Sequence, residues 1–395
     1  MERVVHIAGV GMTPFAKPSA GPAYNVLGEQ AARAALADAG LGYDQVQQAY
    51  AGYVYGDSTC GQAALYGLGR TGIPIVNVNN NCATGSSALW LARQAVQSGV
   101  VECALAVGFE QMRPGALASV WDDRADPLDR FEAVMSQVQE VDPHAPVAAQ
   151  YFGGAGQAYA DAHGTAPETF AKISVKARRH AAGNPHAVFR AALTEEEVLA
   201  SPRIWGPLTR LQCCPPTCGA AAAVVCSAEF ARRHGLDTSV AVRAQALTTD
   251  TASTFDAKDM LKVVGYDMSR AAAERVYADA GVGPEDLDVV ELHDCFTTNE
   301  LISYEALGLT PEGTAERFVL DGDNTYGGKV VTNPSGGLLS KGHPLGATGL
   351  AQCAELVWQL RGQADARQVE GARLALQHNI GLGGAAVVTL YERTA

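Results

Sequence analysis

The sequence contains no run of about 18 uninterrupted apolar residues, so no membrane-spanning helix is expected. Positive charge is scarce: 29 Lys and Arg stand against 42 Asp and Glu, a net charge of −13 at pH 7. Nucleic acid and anionic membrane surfaces both require a basic footprint, and this balance argues against either as the main partner. A nucleotide-like anion needs only local cations or a helix N-terminus and stays among the candidate ligands. Disulfide spacing is lacking as well, because the nine cysteines are odd in number and irregularly placed. Cys213, Cys214, Cys218 and Cys226 in "RLQCCPPTCGAAAAVVC" follow no standard zinc pattern, and no metal is expected. The opening "MERVVHIAGVGMTPFAK" has neither the basic start nor the long apolar core of a signal peptide, and "YERTA" at the end is no peroxisomal or retention signal. A reducing, cytoplasmic setting is the expectation. Thiols there serve as small hydrophobes, catalysts or ligands.

With 395 residues, 47% hydrophobic and 18% charged, the chain is a globular protein with room for about two domains. Short β-rich runs alternate with Ala-rich helical ones, the pattern of an α/β layered fold. "VVHIAGVGM" (4–12) and "VECALAVGFE" (101–110) predict buried strands, and "NVLGEQAARAALADAGL" (25–41) predicts a helix ending at Gly40. The chain also echoes itself. "AARAALADAGLG" (31–42) matches "AAAERVYADAGVG" (271–283), and "CGAAAAVVCSAEFA" (218–231) matches "GLGGAAVVTLYER" (381–393). "CATGSSAL" (82–89) matches "HPLGATGLA" (343–351), placing Cys82 opposite His343 and Gly85 opposite Gly346. Two similar halves, 1–240 and 241–395, are therefore expected. A stretch rich in Asp, Pro, Gln, Gly and His at about 113–205 reads as a lobe inserted into the first half, covering one end of the sheet or serving oligomer contacts.

Three constellations carry candidate chemistry. In "VNNNCATGSSALW" (78–90) Cys82 precedes a helix start, where the helix dipole and free N–H groups are expected to lower its pKa and favour the thiolate. In "NPSGGLLSKGHPLGATGLAQ" (333–352), five glycines imply tight turns, and His343 takes the position equivalent to Cys82. Convergence of the two helix starts would pair a thiol with an imidazole, a recognised nucleophile arrangement. In "VVELHDCFTTNE" (289–300) an apolar strand is expected to end in His293, Asp294 and Cys295, with His293 and Cys295 on one side. A buried structural cysteine, a structural histidine and a strand with a polar end are the competing readings.

These motifs together resemble the thiolases, in particular their sterol-carrier-protein branch. The resemblance spans essentially the whole chain and rests on "NNNCATGSSAL", "GFEQM" (108–112), "HDCF" (293–296), "NPSGGLLSKGHPLGATG" (333–349) and "NIGLGGAAV" (379–387). It implies two similar halves in an α-β-α-β-α layered core with an inserted loop domain, a homodimer or homotetramer, and acyl-CoA and CoA as substrates without any cofactor. A small partner protein is a further implication. Transferred to this sequence, the resemblance makes Cys82 the acyl-accepting nucleophile and His343 the base that activates it and then helps hold the thioester oxygen. It makes His293 the second donor of that pocket, Cys295 the acid/base at the α-carbon, and the N–H groups of Cys82 and Gly381 an oxyanion hole for the acyl-enzyme. Conventional thiolases keep the second thiol in a C-terminal Cys-x-Gly motif. Here that position is Asn379, and the cysteine of "HDCF" takes over. The implied activity is that of an acyl-CoA:acetyl-CoA C-acyltransferase. The alternatives are a ketoacyl-synthase-like condensing enzyme, which needs no second thiol, a non-catalytic lipid or acyl-CoA binder, and a retro-aldolase of the same branch. "KARRH" (176–180) reads either as a contact for the CoA phosphates or as a solvated helix face.

Overall fold

Runs of Val, Ala and Leu too apolar for a half-solvated sheet form the centre of the molecule. In the computed structural model, which describes residues 3–115, 121 and 123–394, they make one ten-stranded sheet. Its strands are β1 (Val5–Met12), β2 (Gln48–Gly52), β3 (Ile75–Val78), β4 (Cys103–Glu110), β5 (Gly219–Ser227), β6 (Val240–Thr248), β7 (Val289–Glu291), β8 (Val331–Thr332), β9 (Leu374–Gly381) and β10 (Ala385–Arg393). The order is β8-β7-β9-β10-β6-β1-β5-β4-β2-β3. Outward from β1 the first five run β1-β5-β4-β2-β3, and outward from β6 the others run β6-β10-β9-β7-β8, the same sequence of roles. Pairing directions agree too: β2 is parallel to both its neighbours and β7 to both of its own, whereas β5 and β10 are antiparallel to theirs. The two sets meet at the pair His6–Ala241.

Period-2 alternation sorts each strand between layers. On β5, Ala221, Ala223 and Val225 face one apolar cluster, while Ala220, Ala222 and Val224 face another. The first of these clusters holds the helices Thr84–Gln97 and Thr348–Arg361 between the two sets of strands, since Ala88, Leu89, Leu350 and Ala354 pack there with Val5, Ile7, Val240 and Val289. The helix Tyr24–Ala39 covers the outer face of the first set, ended by Gly40 in the left-handed conformation. The helix Tyr266–Ala280 covers the outer face of the second. These are the five expected layers.

The four helices Asp129–Val138, Val147–His163, Pro167–Ala181 and Glu195–Ala200 lie in the expected lobe, of which positions 116–120 and 122 fall outside the described residues. Although inserted in the first half of the sequence, the lobe packs on the second: Phe152, Tyr159 and Phe170 share an apolar cluster with Leu301, Ile302 and Phe318. Lys176 is buried here, ion-paired to Glu300 and 2.6 Å from the Thr332 hydroxyl. Losing one partner of such a pair typically costs about 3–5 kcal/mol. His180 is likewise buried, bonded to the Asn333 carbonyl and the Thr325 hydroxyl. Two members of "KARRH" are therefore neither a solvated face nor free for an anion, because they seat the lobe on the second half. Among the described residues, no helix is long and apolar enough to cross a membrane.

Candidate active site

The three asparagines before Cys82 each hold part of its turn. Asn79 Oδ1 accepts from the Asn81 N–H (3.0 Å), and Asn81 adopts the left-handed conformation (φ 51°) that asparagine tolerates well. Asn81 Nδ2 reaches the Leu382 carbonyl of the second half (3.2 Å), and the Asn80 N–H donates to Thr84 Oγ1 (2.8 Å). The helix begins at Thr84, so Cys82 stands before its N-cap, Ala83. Glycines allow the halves to close at this point. A Cβ on Gly85 would lie 2.7 Å from the Gly346 carbonyl oxygen, so the pair matched in sequence is also a pair in space. A Cβ on Gly381 would collide with the Asn80 carbonyl, which places the end of β9 against the Cys82 turn.

The closure brings Cys82 Sγ and one ring nitrogen each of His293 and His343 within 4.8 Å of one another. The two imidazoles meet edge to face, with centroids 5.1 Å apart. His343 Nδ1 is 2.7 Å from Thr348 Oγ1, whose own hydrogen goes to the Pro344 carbonyl (3.0 Å). Thr348 must therefore accept from Nδ1–H. The remaining nitrogen, Nε2, is an unprotonated acceptor, buried without a hydrogen-bond partner among the described residues. Burial lowers the His343 pKa to about 3, so the ring is neutral across the working range.

The thiol itself differs from expectation. Burial, reinforced by the charge of Glu110, pushes the Cys82 pKa up to about 12, and its own backbone N–H opposes this only weakly. The benefit of a helix start decays within the first turn, and Cys82 lies outside that turn, so desolvation prevails. The resting site is a neutral thiol beside a neutral base rather than a thiolate–imidazolium pair. Alkylation of Cys82 by iodoacetamide is thus expected to accelerate about tenfold per pH unit between about pH 6 and 9, because reaction follows the thiolate fraction. A rate plateau below neutral pH, measured by stopped-time inactivation and intact mass, would contradict this.

The "HDCF" segment also departs from its predicted form. The strand β7 stops at Glu291, and His293, Asp294 and Cys295 occupy the turn before the helix Thr297–Ala306. Asp294 accepts the N–H groups of Leu338 (2.7 Å) and Leu339 (3.4 Å) in the short helix Gly337–Ser340. Asn299 Nδ2 donates to the His293 carbonyl, and Asn379 Nδ2 lies 2.9 Å from His293 Nδ1. Cys295 is 4% exposed, and burial, with Cys214, Cys82 and Asp294 nearby, holds its thiol well above the ordinary range.

Several neighbours were not singled out from the sequence as site residues. Glu110 of "GFEQM" is buried and accepts the N–H groups of Val54, Tyr55 and Gly346 at 3.1, 2.9 and 2.9 Å, joining both halves beside the site. Burial lifts its pKa to about 7 against those three donors. Cys214, whose N–H bonds the Cys295 carbonyl at 2.9 Å, belongs to a loop that also bridges Phe296 and His343 through Cys213 and Pro216. The paired cysteines before Pro-Pro were the available signal, and of the two it is Cys214 that lies beside Cys295 and Cys82. Cys82, His293 and His343 are the group of donors near enough to take a metal ion among the described residues.

The family model described as "Thiolase, N-terminal domain" matches residues 5–229, and "Thiolase C-terminal domain-like" matches residues 247–393. Sterol carrier protein 2 of Gallus gallus is 56% identical over 394 residues, covering 99% of this chain and 72% of that protein. An acetyl-CoA acetyltransferase of Methanothermobacter thermautotrophicus is 35% identical over 401 residues, covering 99% of this chain and 100% of that one. Among solved structures, the Ltp2-ChsH2(DUF35) aldolase superposes with a TM-score of 0.82 at 26% identity, covering 99% and 98% of the two chains. Matched almost end to end, with a cysteine from the first half set between two histidines of the second, the chain belongs to the thiolase family, in its sterol-carrier-protein branch.

Proposed function

We propose that the protein is a 3-ketoacyl-CoA thiolase, an acyl-CoA:acetyl-CoA C-acyltransferase of lipid metabolism working through a Cys82 acyl-enzyme. The observation that carries this reading is the convergence of Cys82, His293 and His343 within 4.8 Å, with Cys295 retained close by. His343 Nε2 takes the Cys82 proton as the sulfur attacks the β-carbonyl of a 3-ketoacyl-CoA. The oxygen's charge falls on His293 and on the newly protonated His343. The Cα–Cβ bond then breaks, leaving an acyl group on Cys82 and the enolate of acetyl-CoA, which receives the Cys295 proton. The Cys295 thiolate next takes the proton of CoA–SH, whose sulfur attacks the thioester while the Cys82 and Gly381 N–H groups hold its oxygen. The tetrahedral intermediate expels the Cys82 thiolate, which regains its proton from His343. The products are acetyl-CoA and an acyl-CoA shortened by two carbons, and Cys82 and Cys295 are both again thiols. CoA is a substrate here, and we propose no cofactor. We also propose a homodimer or homotetramer, a cytoplasmic setting and the option of a small partner protein.

Both thiols favour acyl transfer over aldol cleavage, which forms no acyl-enzyme. A purely lipid-carrying role offers no reason to bury two imidazoles against a thiol at one point. The test is thiolysis of short, long and sterol-side-chain 3-ketoacyl-CoAs followed through acetyl-CoA release. Parallel lines in the double-reciprocal plot, the mark of ping-pong kinetics, are expected for at least one chain class. Absence of CoA-dependent cleavage across all three would overturn the proposal.

A further inference from the structure

Asn379 stands where conventional thiolases carry a catalytic thiol, and its surroundings assign it a different task. Period-2 alternation turns Gln377, Asn379 and Gly381 of β9 toward the central helices. There a chain of side-chain hydrogen bonds begins at Tyr391, whose hydroxyl donates to Gln377 Oε1 (2.5 Å). Gln377 Nε2 lies 2.7 Å from the Gly349 carbonyl and 2.8 Å from Ser86 Oγ. A carbonyl can only accept, so the Gln377 atom facing Gly349 is the amide nitrogen, and its second hydrogen points to Ser86. Ser86 accepts from Gln377 and donates its own hydrogen to Asn379 Oδ1, 2.8 Å away. With Oδ1 so occupied, Asn379 turns its Nδ2–H group to His293 Nδ1 (2.9 Å).

With Asn379 so oriented, the last link leaves Nδ1 as an acceptor. In the neutral ring the proton then resides on Nε2, and burial together with the neighbouring His343 and His378 keeps the ring neutral. We infer that Asn379, Ser86 and Gln377 form a positioning relay that sets the His293 tautomer, so that the ring presents an N–H to the reaction centre. The relay's counterpart on the other ring is Thr348, which gives His343 the opposite tautomer. Two like side chains thereby acquire unlike roles, one acceptor and one donor. The chain closes over Gly349, where a Cβ would collide with Ser86 Oγ and lie 2.8 Å from Asn379 Oδ1. A carboxylate at position 379 would reverse the outcome, because it can only accept and would draw the proton to Nδ1.

The inference rests on the reading of His293 as a donor to substrate oxygen, and its test separates the two. In the full chain labelled with ring-15N histidine, His293 is assigned by loss of its signals in His293→Gln. It is expected to show a protonated Nε2 and a bare Nδ1 at neutral pH. Asn379→Asp is expected to move the proton to Nδ1 and lower kcat about 10²-fold or more, the usual effect of losing one oxyanion donor, with KM within about twofold. A wild-type His293 protonated at Nδ1 would overturn the relay. Should Asn379→Asp fail to fold, Ser86→Ala, which releases the Asn379 amide, is read the same way, and the wild-type tautomer still decides. An Asn379→Asp protein with a moved proton and an unchanged kcat would uphold the relay and retire the donor role of His293.

Discussion

Cys82→Ala is expected to abolish acetyl transfer between acetoacetyl-CoA and CoA, a fall on the order of 10⁴-fold or more, as for removal of other covalent nucleophiles. No other thiol can replace it. Among the described residues, neither Cys295 nor Cys214 belongs to the close group that Cys82 forms with the two imidazoles. The variant is also expected to fold normally. The change removes only the sulfur, whose hydrogen bond to Asn81 Oδ1 is long (3.5 Å), and the turn is held by asparagine and threonine bonds that remain. Intact mass after incubation with acetyl-CoA is the direct check: the wild type gains one acetyl group and the variant gains none. Thiolysis by Cys82→Ala within tenfold of wild type would end the nucleophile assignment.

Cys295→Ala is expected to separate two steps that a structural cysteine would affect together. Acetylation of Cys82 by acetyl-CoA uses Cys295 only to protonate the departing CoA thiolate, a good leaving group that solvent can protonate instead, so the acetyl adduct should still form, though more slowly. Exchange of the acetyl-CoA methyl protons with deuterated water should cease, and overall thiolysis should fall about 10²–10⁴-fold, the usual contribution of a positioned acid/base. The high pKa of the buried thiol suits this task. It remains protonated until an enolate needs the proton, and its thiolate is then basic enough to take one from CoA–SH. Equal loss of adduct formation and proton exchange would mark Cys295 as packing for the "HDCF" turn.

The sequence was most informative where local rules act. The strand at 4–12 forms as Val5–Met12, and the helix predicted to stop at Gly40 ends there, because a glycine free to adopt a left-handed conformation terminates a helix without help from distant residues. The match of "CATGSSAL" with "HPLGATGLA" likewise marked two helix starts that now meet at Gly85 and Gly346. Period-2 logic failed past Glu291, where Asp294 accepts backbone N–H groups of the distant helix Gly337–Ser340 and "HDCF" turns instead of extending. Electrostatics was the least legible property. A helix start argued for a low Cys82 pKa, but desolvation depends on what the second half places around the sulfur, and that is absent from the local string.

The sequence by itself determined the family, the layered α/β order and the identity of the candidate nucleophile, imidazoles and second thiol. These follow from short motifs and an internal repeat, which carry their information in spacing. Only the tertiary structure decided which ring nitrogen of His343 is left free, that Glu110 ties Tyr55 to Gly346, and that Asn379, backed by Ser86 and Gln377, lies against His293 Nδ1. A tautomer is set by the directions of hydrogen bonds among residues as far apart in sequence as Ser86 and Tyr391. Those directions exist only once the two halves have closed.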